Sequence, residues 1–225
     1  MDYVLELIKK GYQKVIDEGN DYFDEIVDTL KGISKEILNN ITQIDPDLLA
    51  KRDNLLVAIR ITECVKIFDW ILLGLLLGTY RSVNKELRFM IESMCQAYYI
   101  DYNHFSAPLS SKFEILKALG NYGNFIGGKL IDETKLNKAL KKKIKEIYGI
   151  LSNYVHPSSE ESRLLLERIE NSGTKNRDRL SPILDVNRFD EISLKNCLTY
   201  CTNVKEIIIQ INQKFENDFI EKKLL

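Results

Sequence analysis

The chain has 225 residues, 44% of them hydrophobic and 29% charged, and its 32 Lys and Arg nearly cancel 33 Asp and Glu, for a net charge of −1. Those figures exclude a disordered, collagen-like or mucin-like chain and a disulfide scaffold. They leave no global field that would draw the protein to nucleic acid or to a membrane.

Met1-Asp2-Tyr3 lacks the basic start of an export signal, so a cytoplasmic protein is expected, with Cys64, Cys95, Cys197 and Cys201 reduced. Only Pro46, Pro108, Pro157 and Pro182 punctuate the chain, and each falls where a helix should begin or end. Between them the apolar residues recur with a period near 3.6 and never with a period of two, which predicts an all-α protein. A bundle of six or seven helices is expected as one domain over 1–225. Its parts are an N-terminal helical region at 1–43, core helices at 46–156, an irregular segment at 157–189 and a C-terminal helix at 190–222.

In chain order, Val4, Leu7, Ile8, Tyr12 and Val15 form a first stripe, Gly19-Asn20 reads as a break in the helix, and Ile26, Leu30, Ile33 and Ile37 form a second stripe. Asp45-Pro46 pairs an N-cap residue with proline at the first helical position, predicting a helix from Pro46 to about Thr79. From Trp70 to Leu77 that helix is apolar on every side, which predicts a place at the bundle's centre, with Ile71, Leu72, Leu75 and Leu76 among the most buried residues. The apolar run Ile67 to Gly78 contains Asp69 and falls short of the roughly 18 residues a membrane span requires. Gly74 and Gly78 share a face and predict close approach of a neighbouring helix. The next helix, about Tyr80 to Tyr102, carries Val83, Leu87, Ile91, Met94 and Tyr98; it either follows a break near Thr79 or continues the preceding helix as a bent rod.

Ser111-Lys112-Phe113-Glu114 reads as a capping box opening a short helix, and a glycine-rich stretch from Gly120 to Gly128 reads as a loop. Asp132 and Glu133 suit the positive end of a helix that carries Leu136, Leu140, Ile144, Ile147, Leu151 and Val155 and stops before Pro157. A turn-rich stretch spans Asn171 to Pro182. The last helix carries Leu194, Leu198, Val204, Ile208, Ile211 and Phe215.

Two polar constellations stand out. On one line of the helix that stops before Pro157 lie Lys145, Gly149, Ser152 and His156, the last at the helix's negative end, where a protonated imidazole is favoured. His156 reads either as a cap tying down the following loop or as a functional group able to exchange a proton near neutral pH. Beside the core stripe of the helix from Tyr80 to Tyr102 run Arg81, Arg88, Glu92 and Tyr99. Arg88 and Glu92 are four apart and can pair; the pair reads either as a register-fixing salt bridge or as a guanidinium fork for an anionic ligand. If the two helices are neighbours, Arg88, Glu92, Ser152 and His156 converge, with Tyr148 close by. Lys138, Lys141, Lys142, Lys143 and Lys145 form a basic face, either solvated or in contact with a phosphate backbone. Two distant histidines and the Cys197/Cys201 pair do not make the four-ligand set of a zinc site, so no metal and no cofactor is expected.

The segments LRFMIESMCQAYYID (Leu87 to Asp101) and YGILSNYVHPSS (Tyr148 to Ser159) resemble an uncharacterised family of microbial helical proteins that pairs an Arg-x3-Glu helix with a Leu-Ser-x3-His-Pro-Ser helix end. That family is similar in turn to the HEPN domains, all-α modules of toxin–antitoxin and defence systems, many of them dimeric, metal-independent ribonucleases. The resemblance covers about 75 residues, Leu87 to Ser159. It implies a homodimer that binds RNA or a nucleotide. His156 would be the general acid/base and Arg88 and Glu92 its catalytic companions, with Ser152, Arg81, Tyr148, Lys141, Lys142 and Lys145 binding substrate. His156 matches the HEPN histidine, but the positions of the HEPN arginine are Gly149, Ile150 and Leu151, none of them Arg. A non-catalytic helical interaction or structural protein, engaging a protein partner and using the same residues as architecture, is the other expectation. The sequence leans toward this non-enzymatic reading.

Overall fold

A computed structural model describes residues 13, 16–42, 54–120, 129–154 and 189–222. Among them it is all-α, with seven α-helices and no strand. They are α1 (Phe23–Thr42), α2 (Leu56–Leu76), α3 (Tyr80–Asn103), α4 (Leu109–Gly120), α5 (Lys129–Glu133), α6 (Lys138–Asn153) and α7 (Glu191–Lys222). Helix α3 is the centre of the bundle: α2 and α7 pack along it, α6 lies against both α3 and α7, and α4 and α5 rest on α3. Helix α1 closes the far side against α2 and α7. No helix among the described residues is long and apolar enough to cross a membrane.

The stripe Val4 to Val15 lies outside the described residues, and three of the other predicted stripes are wholly core. Ile26, Leu30, Ile33 and Ile37 of α1 are buried, as are Val83, Leu87, Ile91, Met94 and Tyr98 of α3. Leu194, Leu198, Val204, Ile208, Ile211 and Phe215 of α7 are buried too. The break near Gly19-Asn20 is a 3-10 turn over Asn20–Tyr22 that leads directly into α1. Asp45, Pro46, Val155, His156, Pro157, the glycine-rich loop beyond Gly120 and the stretch Asn171 to Pro182 lie outside the described residues.

Several boundaries differ from the sequence expectation. The helix expected from Pro46 does not run unbroken to Thr79: Leu55 is extended (φ −110°, ψ 119°) and α2 starts at Leu56. Its start is fixed by a carboxylate from another helix, since Asp101 Oδ2 accepts the Val57 N–H at 2.8 Å. The junction between α2 and α3 is a turn and not a bend. Gly78 adopts φ 66°, a left-handed conformation that glycine takes without penalty. Helix α4 begins at Leu109, behind Pro108, so Ser111 is inside the helix and not its cap; proline's fixed φ suits that entry. Asp132 does not open the helix that carries Leu140, Ile144 and Leu151. It belongs to the short α5, and α6 starts afresh behind Asn137, whose side chain accepts the Leu140 N–H at 2.8 Å.

The bundle centre is also placed differently. Ile71 and Leu75 are buried, but Leu72 and Leu76 are half-buried, Leu73 is 45% exposed and Trp70 is 69% exposed. Among the described helices α2 packs against α1, α3 and α7, and its all-round apolar segment still leaves Trp70 and Leu73 in solvent. Gly74 does mark a close approach: a Cβ there would meet Val83 Cγ2 at 2.8 Å.

Candidate functional site

Helices α3 and α6 run antiparallel, and the polar strip of α3 meets α5 and α6 along its length. Near the start of α3, Arg81 Nε donates to the Tyr154 carbonyl at 2.8 Å, at the C-terminal end of α6 where carbonyls lack intrahelical partners. Two turns on, Arg88 Nη2 donates to the Tyr148 hydroxyl at 2.6 Å, and its guanidinium lies 4.7 Å from the Tyr148 ring centroid. The same hydroxyl donates to Glu92 Oε2 at 3.3 Å. Farther along, the Tyr99 hydroxyl meets Glu133 of α5.

Arg88, Glu92 and Tyr148 therefore come together, as polar strips beside two packed apolar stripes should. The direct Arg88–Glu92 ion pair does not form: the Tyr148 hydroxyl stands between the two side chains and its ring occupies one face of the guanidinium. Burial raises the Glu92 carboxyl above the usual range, against the opposing pull of Arg88 and the Tyr148 hydroxyl. Burial likewise raises the Tyr148 phenol. Arg88 Nε is buried without a hydrogen-bond partner. Ser152 does not reach toward Arg88; its hydroxyl donates to the Tyr148 carbonyl one turn back at 2.7 Å. His156, expected at the same edge, is outside the described residues.

The lysine face of α6 is largely engaged within the protein. Lys145 pairs with Asp132 at 2.7 Å, and Lys141 Nζ donates to the Asp132 carbonyl at 2.8 Å. Lys143 pairs with Glu206 of α7. Lys142 is exposed and, among the described residues, reaches only Glu146, at 3.7 Å. The hydrogen bond from Lys145 holds the Asp132 carboxyl below its ordinary range.

All four cysteines are buried free thiols. Burial pushes the Cys197 thiol up to about 12 and the other three further, so none is a ready nucleophile at neutral pH. Among the described residues no group of three or more His, Cys, Asp or Glu is placed to hold a metal ion.

Sequence reasoning did not single out a second polar cluster. Asp101 and Lys112, both with fully buried side chains, form an ion pair at 2.9 Å. Lys112 Nζ also donates to the Asn54 carbonyl at 2.7 Å. The signal was present: Leu87, Ile91, Met94 and Tyr98 alternate four and three apart, and the next step of that core stripe lands on Asp101. No protein-family model, curated protein or solved structure matches the chain.

Proposed function

We propose that the protein is a non-catalytic helical structural or interaction protein in which Arg88, Glu92 and Tyr148 fasten α6 to α3. The observation that carries this reading is the commitment of the Arg88 guanidinium to Tyr148, through a 2.6 Å hydrogen bond and a cation–π contact 4.7 Å from the ring centroid. A positive fork kept for a ligand would present its donors to solvent; this one is spent across a helix interface. The engagement of Lys141, Lys143 and Lys145 by Asp132 and Glu206 supports the same reading. The test compares Arg88→Met and Tyr148→Ala with the parent in thermal melts and in titrations with a single-stranded oligoribonucleotide and with ATP. Both variants should melt several degrees lower, and the parent should bind neither probe. Saturable binding by the parent, lost in a variant that melts normally, would overturn the proposal.

One observation favours a second reading. Arg88 Nε is buried without a partner, and no carboxylate among the described residues forms an ion pair with this guanidinium. The uncompensated charge and this unused donor, and not the donor given to Tyr148, are what an anion would answer. In this reading the protein is a HEPN-like homodimer of a defence or toxin–antitoxin system that binds RNA or a nucleotide. Arg88 meets a phosphate, and His156 acts as general acid/base if RNA is cleaved. Metal-independent cleavage in EDTA, abolished by His156→Ala, together with a dimer in sedimentation, would establish it. A monomer near 26 kDa without cleavage would remove it.

A further inference from the structure

Helix α4 docks in an unusual way. Within it, Leu109, Ile115, Leu116 and Leu119 are only half-buried, and its one fully buried side chain is a lysine, Lys112. Its principal neighbour is α3. An element with few buried apolar contacts sits at the low-stability end of a fold and opens ahead of the core. Leu109, Ile115, Leu116 and Leu119 rest on the edge of the core, and the fully buried part of the attachment is the ion pair to Asp101 and the bond to the Asn54 carbonyl.

The partners of Lys112 also order the start of α2. Asp101 uses one carboxylate oxygen for Lys112 and the other for the Val57 N–H, a first-turn amide with no intrahelical acceptor. Asn54, whose carbonyl receives Lys112, donates its side-chain amide to the Ala107 carbonyl at 3.0 Å in the turn before α4. The beginning of α2 and the beginning of α4 are therefore tied through one set of atoms.

We propose that α4 is a detachable flap whose release and the uncapping of α2 are a single event, governed by the Lys112–Asp101 latch. With α4 docked, Asp101 has its counter-charge and holds the Val57 amide. When α4 swings out, Lys112 leaves with it. Asp101 then stands as an unpaired charge in a buried site, which draws in water and loosens the first turn of α2. The mutual dependence makes the opening cooperative: neither half can open without weakening the other.

Amide hydrogen exchange on the full chain, read residue by residue by NMR, tests this. In Asp101→Asn the amide side chain can still accept from Val57 but cannot neutralise Lys112. Exchange should then rise by more than about tenfold over Leu109–Leu119 and at Val57 together, with α7 amides unchanged. Lys112→Met supplies the second arm, removing the charge and keeping an apolar stem; it should likewise speed α4 and Val57 by a common factor. Acceleration confined to α4 or confined to Val57, in either variant, would overturn the coupling. Unchanged exchange at both places would overturn the latch.

Discussion

Replacing Tyr148 by Phe isolates the hydroxyl that joins α6 to α3. The ring remains, so the cation–π contact with the Arg88 guanidinium at 4.7 Å is kept, while the 2.6 Å bond from Arg88 and the longer bond to Glu92 are lost. A hydrogen bond to a charged group contributes about 1.5–3 kcal/mol when desolvated. Arg88, Glu92 and Tyr148 are each half-buried, so water recovers part of that and the expected loss is about 1–2 kcal/mol. For a chain of this size the melting temperature should fall by roughly 3–6 °C. Urea denaturation followed by far-ultraviolet circular dichroism gives the free energy directly. Arg88→Met and the double variant complete a cycle whose coupling should exceed about 0.5 kcal/mol, as groups in contact do. A Tyr148→Phe protein within about 0.5 kcal/mol of the parent, with additive single changes, would refute the reasoning. It would mean that the Arg88–Tyr148 contact does not fasten the helices.

Three further outcomes follow from the packing and the charges. Leu75→Ala should cost about 2–5 kcal/mol because the side chain is buried between helices, whereas Leu73→Ala, two residues away and 45% exposed, should cost under about 1 kcal/mol; equal costs in urea titrations would contradict the exposed face of α2. Gly74→Ala should destabilise by about 1–3 kcal/mol, since the added Cβ would sit 2.8 Å from Val83 Cγ2, and pairing it with Val83→Ala should restore part of that loss in the same assay. Glu92 titrates above its ordinary value in the folded protein. Its contribution to stability is therefore whole below the unfolded pKa and is lost as pH rises through the raised folded one. Glu92→Gln should flatten that segment of the stability–pH profile, and an unchanged slope would show that Glu92 is not desolvated.

The helical periods of α1, α3 and α7 were legible because each of these helices turns one face to a common core. Their apolar stripes match burial residue by residue. Helix α2 misled because hydropathy counts apolar residues without knowing how many neighbours a helix has. Trp70 and Leu73 look like core residues in a one-dimensional pattern and face solvent in the fold. The ends of helices were read least well wherever the cap came from afar. Asp101 fixes the start of α2 from 44 positions away, and no local motif around Leu56 announces it. At the candidate site, the gathering of Arg88, Glu92 and Tyr148 followed from strips that flank apolar stripes on two helices. The insertion of the phenol between the two charges did not follow, because helical spacing fixes which residues are near and leaves the choice among competing partners to side-chain geometry.

Trp70 has a practical consequence. It is the only tryptophan in the chain and stands 69% exposed on α2, so its indole already meets in the folded protein most of the water it would meet in the unfolded one. Its fluorescence emission should therefore lie near that of a hydrated indole before any denaturant is added and shift little as the bundle unfolds. An optical experiment relying on that signal would record a nearly silent transition while the backbone lost its helices. The eleven tyrosines offer a better optical handle. Tyr98 in particular is buried, with its hydroxyl donating to Asp218 at 2.6 Å, and unfolding would move it from a fixed, dry setting into solvent.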